Sequence, residues 1–383
     1  MLLNRRIAGF DGIRALAVIA VVVHHLGIWG PAEEAGAIAQ RVFPLLSGTT
    51  AVQAFFILSG FLITILLIKE KRTTGRISIG AFMVRRSLRI FPLYLLFCIL
   101  ATLALVFLNG QMPTRALSYA FLYSYNFVPQ TDYLPLLGHT WSLAVEEHFY
   151  LVWPLVFAFG FVNRRRGLLL GLCAFVIGSL LLHAVLVRQP FADGYAISRW
   201  SFLAGYNIAL GCIGALLVTN SVGKGESARM FAGPGAFLLG LLLYANTLYI
   251  DSGSWFIQNV ACGYIRAAGI LLMILWIYLN QASMLVRMLE IRPLRYLGTI
   301  SYGIYMWQGF FLTTGPRRVA GEMWPPSPAT GVALLVIVAP LSYRYFEQPF
   351  LDWKKRYTRA ANRRAGQVAD EDLVPVSAQD GRA

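Results

Sequence analysis

The chain has 383 residues, 57% of them hydrophobic and only 13% charged, with a formal net charge of +15. A soluble domain carries about a quarter charged residues, so this composition excludes an ordinary soluble fold and points to an all-α, polytopic membrane bundle. In that setting the positive balance reads as the cytoplasmic bias of Lys and Arg, not as a nucleic-acid surface.

Ten spans are predicted, over residues 10–29, 50–68, 90–108, 140–161, 167–187, 200–219, 231–250, 262–280, 297–314 and 329–346. Each is near the length that crosses about 30 Å of hydrocarbon. Ten spans put both termini on one side. With that side taken as the cytoplasm, the inner segments hold 24 of the 33 Lys and Arg residues and the outer segments 6, the bias expected for cytoplasmic termini. Arg5 and Arg6 precede an apolar run as in a signal peptide. The run is too long for one, carries an arginine and two histidines, and lacks a clear cleavage site, so it reads as a retained first span. The four cysteines (Cys98, Cys173, Cys212 and Cys262) have neither metal spacing nor a disulfide pattern, and no metal is expected.

The first span, FDGIRALAVIAVVVHHLG, carries Asp11, Arg14, His24 and His25. Ionisable groups at membrane depth cost several kcal/mol and normally face a polar interior. Arg14 and His25 are eleven residues apart, which places them within roughly 20° around a helix and about 16 Å apart along it. His24 points off by roughly 80° the other way. One face thus offers an anion contact at one end and, at the other, an imidazole able to take a proton from a hydroxyl. Packing alone, with a snorkelling Arg and a His bonded to its neighbour, is the competing reading.

The second span contains SGFLIT, Ser59 to Thr64, small residues that let helices approach closely. The connection from Lys69 to Arg89 ends RRSLR. Arg86 and Arg89 share a helix face at the inner mouth of the third span, and guanidinium forks suit phosphate oxygens. The connection from Asn109 to His139 holds the aromatic run YAFLYSYNF, Tyr119 to Phe127, which reads as a short interfacial or re-entrant helix. The fourth span opens HTWSLAVEEHFYLVWP. Glu146 and Tyr150, four apart, face together. Glu146 is read as the carboxylate that orients His25, as in a catalytic triad. Further along stand Arg266, the polar-aromatic SYGIYMWQ (Ser301 to Gln308) and Glu347 in FEQPF. Residues 1–353 read as one transmembrane domain. Residues 354–383 read as a basic then polar cytoplasmic tail, its first part on anionic lipid and its last part disordered.

Taken together these stretches resemble the acyltransferase-3 family, membrane-bound sugar O-acyltransferases and O-acetylases of bacteria. The family's Arg, ten residues, then His is similar to Arg14 and His25. Its Arg-x-x-Arg before Ile-x-Pro-x-Tyr resembles Arg86 and Arg89 with Ile90, Pro92 and Tyr94. Its Trp-Ser-Leu-x-x-Glu-x-x-x-Tyr resembles Trp141, Ser142, Leu143, Glu146 and Tyr150. Its Ser-Tyr-x-x-Tyr-x-Trp resembles Ser301, Tyr302, Tyr305 and Trp307. The family often has His after that Trp, where this chain has Gln308.

The resemblance implies an inner-membrane enzyme that moves an acyl group, usually acetyl, from cytoplasmic acyl-CoA to a hydroxyl of a glycan or lipid-linked sugar. No permanently bound cofactor is implied; the donor is a substrate. On this reading His25 and Glu146 are catalytic. Arg14, Arg86 and Arg89 hold the donor's phosphates, and Asp11, His24, Trp141, Ser142, Tyr150 and Tyr302 support. The rival is a transporter using the same polar spans as a path, which calls for inverted repeats with broken helices that the sequence does not display. A non-catalytic scaffold or sensor fits the buried Arg, His and Glu poorly.

Overall fold

The computed structural model describes residues 6–26, 41–110, 112–163, 165–189, 194–221, 230–250, 254, 256–312 and 325–358. Among these there is no strand. The helices are α1 (Phe10–His25), α2 (Gly48–Thr74), α3 (Ile79–Asn109), α4 (Thr114–Phe121), α5 (Thr140–Asn163) and α6 (Arg165–Leu186). They continue as α7 (Tyr206–Ser221), α8 (Pro234–Tyr244), α9 (Cys262–Leu279), α10 (Met284–Leu289), α11 (Arg292–Phe311) and α12 (Pro328–Ser342). A helix lies at each of the ten segments expected to span. Seven helical stretches, those containing α2, α3, α5, α6, α7, α9 and α12, are long and apolar enough to cross a membrane. The other three are α1, with 16 residues, α8, with 11, and α11, whose 20 residues open with the polar RPLR.

The helix ends are set by local chemistry. Ser47, Ser78, Ser283 and Ser327 each turn a hydroxyl back onto a first-turn amide of α2, α3, α10 and α12. Gly75 and Gly110 close α2 and α3 in the left-handed conformation that side chains resist. Pro92, Pro154 and Pro340 sit inside helices, where neighbouring helices can satisfy the freed carbonyls. A π-helical turn, Tyr343–Glu347, follows α12, and helix then runs on to Thr358, past the expected start of the tail. Residues 359–383 lie outside the described residues.

Small residues decide which helices touch. Gly60, in the SGFLIT stretch, lies against the Ile208 backbone of α7, and Gly211 of α7 lies against the Ile57 and Phe61 backbone of α2. Gly298 of α11 abuts the Asp11 backbone, and Gly12 abuts Leu289, so α1 is pinned between α11 and α10. In lipid, such close backbone packing replaces the hydrophobic drive that assembles soluble bundles. Leu170, Ile177 and Leu181 on α6 and Val336 and Ile337 on α12 remain exposed, as a lipid-facing surface requires.

The connection before α5 enters the bundle. α4 takes the first part of the expected aromatic helix, and the rest winds through short 3-10 turns. Tyr125, Leu136 and Leu137 are fully buried. The Tyr125 hydroxyl accepts from the Leu134 amide at 2.7 Å and donates to the Leu134 carbonyl at 3.0 Å, while Tyr94 donates to the Ala120 carbonyl at 2.7 Å. Buried phenols thus satisfy backbone groups that irregular chain cannot satisfy alone.

Gly211→Leu is expected to force α2 and α7 apart and to cost about 1–3 kcal/mol, as core overpacking does. Thermal unfolding in detergent reads this directly. Gly171→Leu on α6, where an added Cβ meets nothing within 4 Å, is expected to leave the transition unchanged.

Candidate active site

Three cavities follow one another along α1. The first, of about 290 Å³, lies at the Asp11 end and is lined by Arg6, Asp11, Arg14, Ser59, Lys69, Arg86 and Arg89 among others. The second is a neck of about 90 Å³ whose wall includes Arg14, Ser59, Arg86, Arg89, Ser142, Glu146, Tyr150 and Tyr302. The third, of about 500 Å³, lies at the His25 end and includes His24, His25, Gln53, His139, Trp141, Arg199 and Asn207. Arg14, Ser59, Arg86 and Arg89 line both the first cavity and the neck. Val52, Phe56 and Tyr305 line both the neck and the large cavity. The shared walls make the three neighbours in one row along α1.

Three guanidiniums dominate the neck. Arg86 lies over the Tyr150 ring at 5.0 Å and the Phe82 ring at 5.6 Å. Arg14 and Arg86 are near enough to repel each other, and both repel Arg89. None of the three is in a salt bridge among the described residues; Asp11 is paired with Arg6, which also reaches Glu290 at 3.5 Å. Glu146 is the one carboxylate in the neck wall. It accepts from Tyr150 at 3.1 Å and feels Arg86 and Arg14. Tyr150 also bonds Ser59. The net positive cradle suits an anion with several oxygens, which guanidinium forks bind with charge-assisted hydrogen bonds.

Glu146 is therefore not the orienting partner of His25: it lines the neck, His25 lines the large cavity, and no described hydrogen bond joins them. The reason is depth. α5 begins at Thr140, so Glu146 lies about 9 Å along that helix, level with the arginines. His139, one residue before α5, is what comes level with His25; the two act on each other electrostatically and line the same cavity. The orienting acceptor is instead backbone. His25 Nδ1 lies 2.8 Å from the Val21 carbonyl, and a carbonyl only accepts. Nδ1 thus carries the proton, and Nε2 keeps the lone pair a general base needs.

The remaining expected residues divide between the two ends. His24 packs edge-on against His25 at 5.1 Å and on Phe43 at 5.6 Å. Trp141 lines the large cavity, edge-on to Phe56 at 5.9 Å. In the neck, Ser142 bonds the Tyr305 hydroxyl at 2.6 Å, and Tyr302 donates to the Ile90 carbonyl at 2.6 Å. Arg266 is buried and donates to Thr50 Oγ1 at 3.2 Å, and Glu347 is buried near Arg89. Gln308 is fully buried, and its amide has no partner among the described residues. Sequence reasoning passed over His139, Gln53, Asn207 and Arg199. Only His139 carried a signal, as the first residue of the HTWSL stretch.

Residues 7–344 match the family described as an acyltransferase domain. The O-acetyltransferase OatA of Staphylococcus aureus is 28% identical over 364 residues, covering 90% of this chain and 57% of that protein. The peptidoglycan O-acetyltransferase OatA of Listeria monocytogenes is 28% identical over 373 residues, covering 90% and 56%. A putative O-acetyltransferase of Staphylococcus aureus is 24% identical over 381 residues, covering 92% and 60%. The chain thus spans a little over half the length of the curated relatives it matches. No solved structure matches it.

Glu146→Ala removes the one negative side chain from the neck and leaves buried guanidiniums uncompensated, at an expected cost of roughly 3–5 kcal/mol. Adding Arg86→Met is expected to recover part of that loss, a coupling of about 1–3 kcal/mol in a double-mutant cycle of unfolding free energies. Strict additivity would show that the two side chains do not act on each other.

Proposed function

This chain belongs to the acyltransferase-3 family, and on that footing we propose that it is a multi-pass enzyme of the cytoplasmic membrane. It moves an acyl group, acetyl by the names of its relatives, from acyl-CoA to a hydroxyl of an envelope glycan. The Listeria relative's name favours peptidoglycan as the acceptor. The observation that carries the reading is the row of adjoining cavities that leads from the three-arginine neck to His25, whose Nδ1 is held by the Val21 carbonyl so that Nε2 is left as the acceptor.

The donor enters at the Asp11 end of α1, taken as cytoplasmic from the charge bias of the sequence. Arg14, Arg86 and Arg89 hold its phosphates, and Glu146 and Tyr150 keep the guanidiniums spread between guests. The neck, at about 90 Å³, is the smallest of the three cavities and takes the thin pantetheine arm. The arm then delivers the thioester to the large cavity. There the Nε2 of His25 takes the proton from the acceptor hydroxyl as its oxygen attacks the thioester carbonyl. The tetrahedral intermediate collapses with loss of the C–S bond. The thiolate leaves, the imidazolium returns the proton to it, and the products are an acyl ester and free CoA. Holding both reactants in one passage replaces a bimolecular encounter by a local one.

His25→Ala is expected to slow transfer of labelled acetyl from acetyl-CoA by roughly 10²–10⁴-fold, the usual worth of a general base, while acetyl-CoA still binds. Arg86→Ala is expected to raise KM for acetyl-CoA by about 10–100-fold, as loss of charge-assisted hydrogen bonds implies. Vesicles with the Asp11 end of α1 outward give both readouts. Full transfer by the His25 variant would remove the imidazole from the chemistry. A wild type that shows no transfer, no hydrolysis and no acetyl-CoA binding would favour a transporter.

A further inference from the structure

The large cavity holds more polar equipment than proton removal needs. Gln53 of α2 is 6% exposed and Asn207 of α7 is 4% exposed; both line it. The amide nitrogen of Gln53 donates to the Tyr206 hydroxyl at 2.9 Å and to the Gly263 carbonyl at 3.1 Å. The amide nitrogen of Asn207 donates to the Ala204 carbonyl at 3.0 Å. A backbone carbonyl accepts and never donates, so both amides are fixed with the nitrogen toward protein. What remains is Gln53 Oε1 and Asn207 Oδ1, each buried and without a partner among the described residues.

Other atoms of the same wall share this need. His25 Nε2 is an acceptor by its tautomer. His139 has no partner at either ring nitrogen, and one of those two is an acceptor in neutral imidazole. His24 Nδ1 is unpartnered too, and is an acceptor when the ring proton sits on Nε2. The wall built by α1, α2, α7 and the foot of α5 is therefore rich in acceptors, and a ligand that fits it must bring donors. Carboxylates and phosphates bring none, whereas a saccharide brings several hydroxyls, each of which can donate to these acceptors and also accept from the donors of the same wall, Arg199 and the N–H of His139. The volume, about 500 Å³, is that of a ligand pocket. The indole of Trp141 and the stacked rings of Tyr206 and Tyr264, 3.8 Å apart, give apolar faces beside these polar points.

We propose that the large cavity is a saccharide subsite in which Gln53 Oε1 and Asn207 Oδ1 accept hydrogen bonds from two hydroxyls of the acceptor sugar and thereby select the third hydroxyl that meets His25. The inference rests on the acyl-transfer reading and adds to it the residues that choose the position of the ester. The selected hydroxyl gives its proton to His25 Nε2; the two reading hydroxyls keep theirs and are not acylated.

The test uses the full chain in lipid nanodiscs with acetyl-CoA and three probe acceptors (chitotriose, cellotriose and maltotriose), each beside monodeoxy analogues. Acetyl-CoA hydrolysis without saccharide, and its loss in His25→Ala, is followed in parallel and reports on the acyl-transfer reading alone. The wild type is expected to acetylate one hydroxyl of at least one probe and to lose roughly three- to tenfold in kcat/KM when a reading hydroxyl is removed. Gln53→Met and Asn207→Leu are each expected to abolish the penalty for one deoxy position and to spread the ester over more hydroxyls. Structural damage alone would lower the parent and deoxy sugars alike and leave their ratio intact. An unchanged ratio and unchanged ester position in both variants would overturn the proposal, as would saccharide-independent hydrolysis with no transfer to any probe.

Discussion

Charge buried in an apolar bundle is the constraint on which the rest of this structure turns. Arg14, Arg86 and Arg89 share a neck with one carboxylate, Glu146, and no salt bridge among the described residues relieves them. Such a cluster is tolerable in lipid only inside protein, around a space that anions or water can occupy. α1 has to be held where Arg14 faces that space, which is the work of the glycine contacts at Asp11 and Leu289. Once α1 is so held, helix geometry carries His25 to the other end of the row of cavities, about 16 Å away.

The two ends then divide the chemistry by kind of polarity. The Asp11 end presents guanidiniums, which suit phosphate oxygens. The His25 end has one guanidinium, Arg199, in its described lining and is otherwise set with neutral groups, among them an imidazole nitrogen and two amide oxygens whose nitrogens are already spent on protein. A donor with a charged head, a thin arm and a reactive tip matches that gradient, and so does a hydroxyl-rich acceptor met at the far end. Tyr305, which lines both neck and large cavity, stands where the two would meet.

Much of this was legible in the sequence, and the part that was not has an identifiable cause. Apolar runs near bilayer length located the helices, and the eleven-residue spacing of Arg14 and His25 placed both on one face, because helix periodicity is a local property. Arg86 and Arg89 were found for the same reason. The partner assigned to His25 was wrong although the start of the helix was right: six residues past Thr140, Glu146 already lies about 9 Å along α5, among the arginines, and a helix pattern alone does not say which residue of another span comes level with it. Gln53 and Asn207 left no trace in the pattern. Their significance depends on partners such as the Gly263 carbonyl, 210 positions from Gln53, that only the folded bundle supplies. The buried parts of the 112–139 connection were hidden likewise, since phenols of Tyr94 and Tyr125 supply what its backbone lacks.

The central claim is that one passage carries the donor from the arginines to His25. The most direct measurement is a cryo-electron microscopy structure of the full chain with a non-hydrolysable thioether analogue of acetyl-CoA. The account requires density for the phosphates against Arg14, Arg86 and Arg89, an arm through the neck, and the acyl carbon in the large cavity. The carbon should leave room for a hydroxyl between it and His25 Nε2, with the reacting atoms about 3–3.5 Å apart. Phosphate density in the large cavity, or an analogue bound elsewhere with the neck empty, would contradict it.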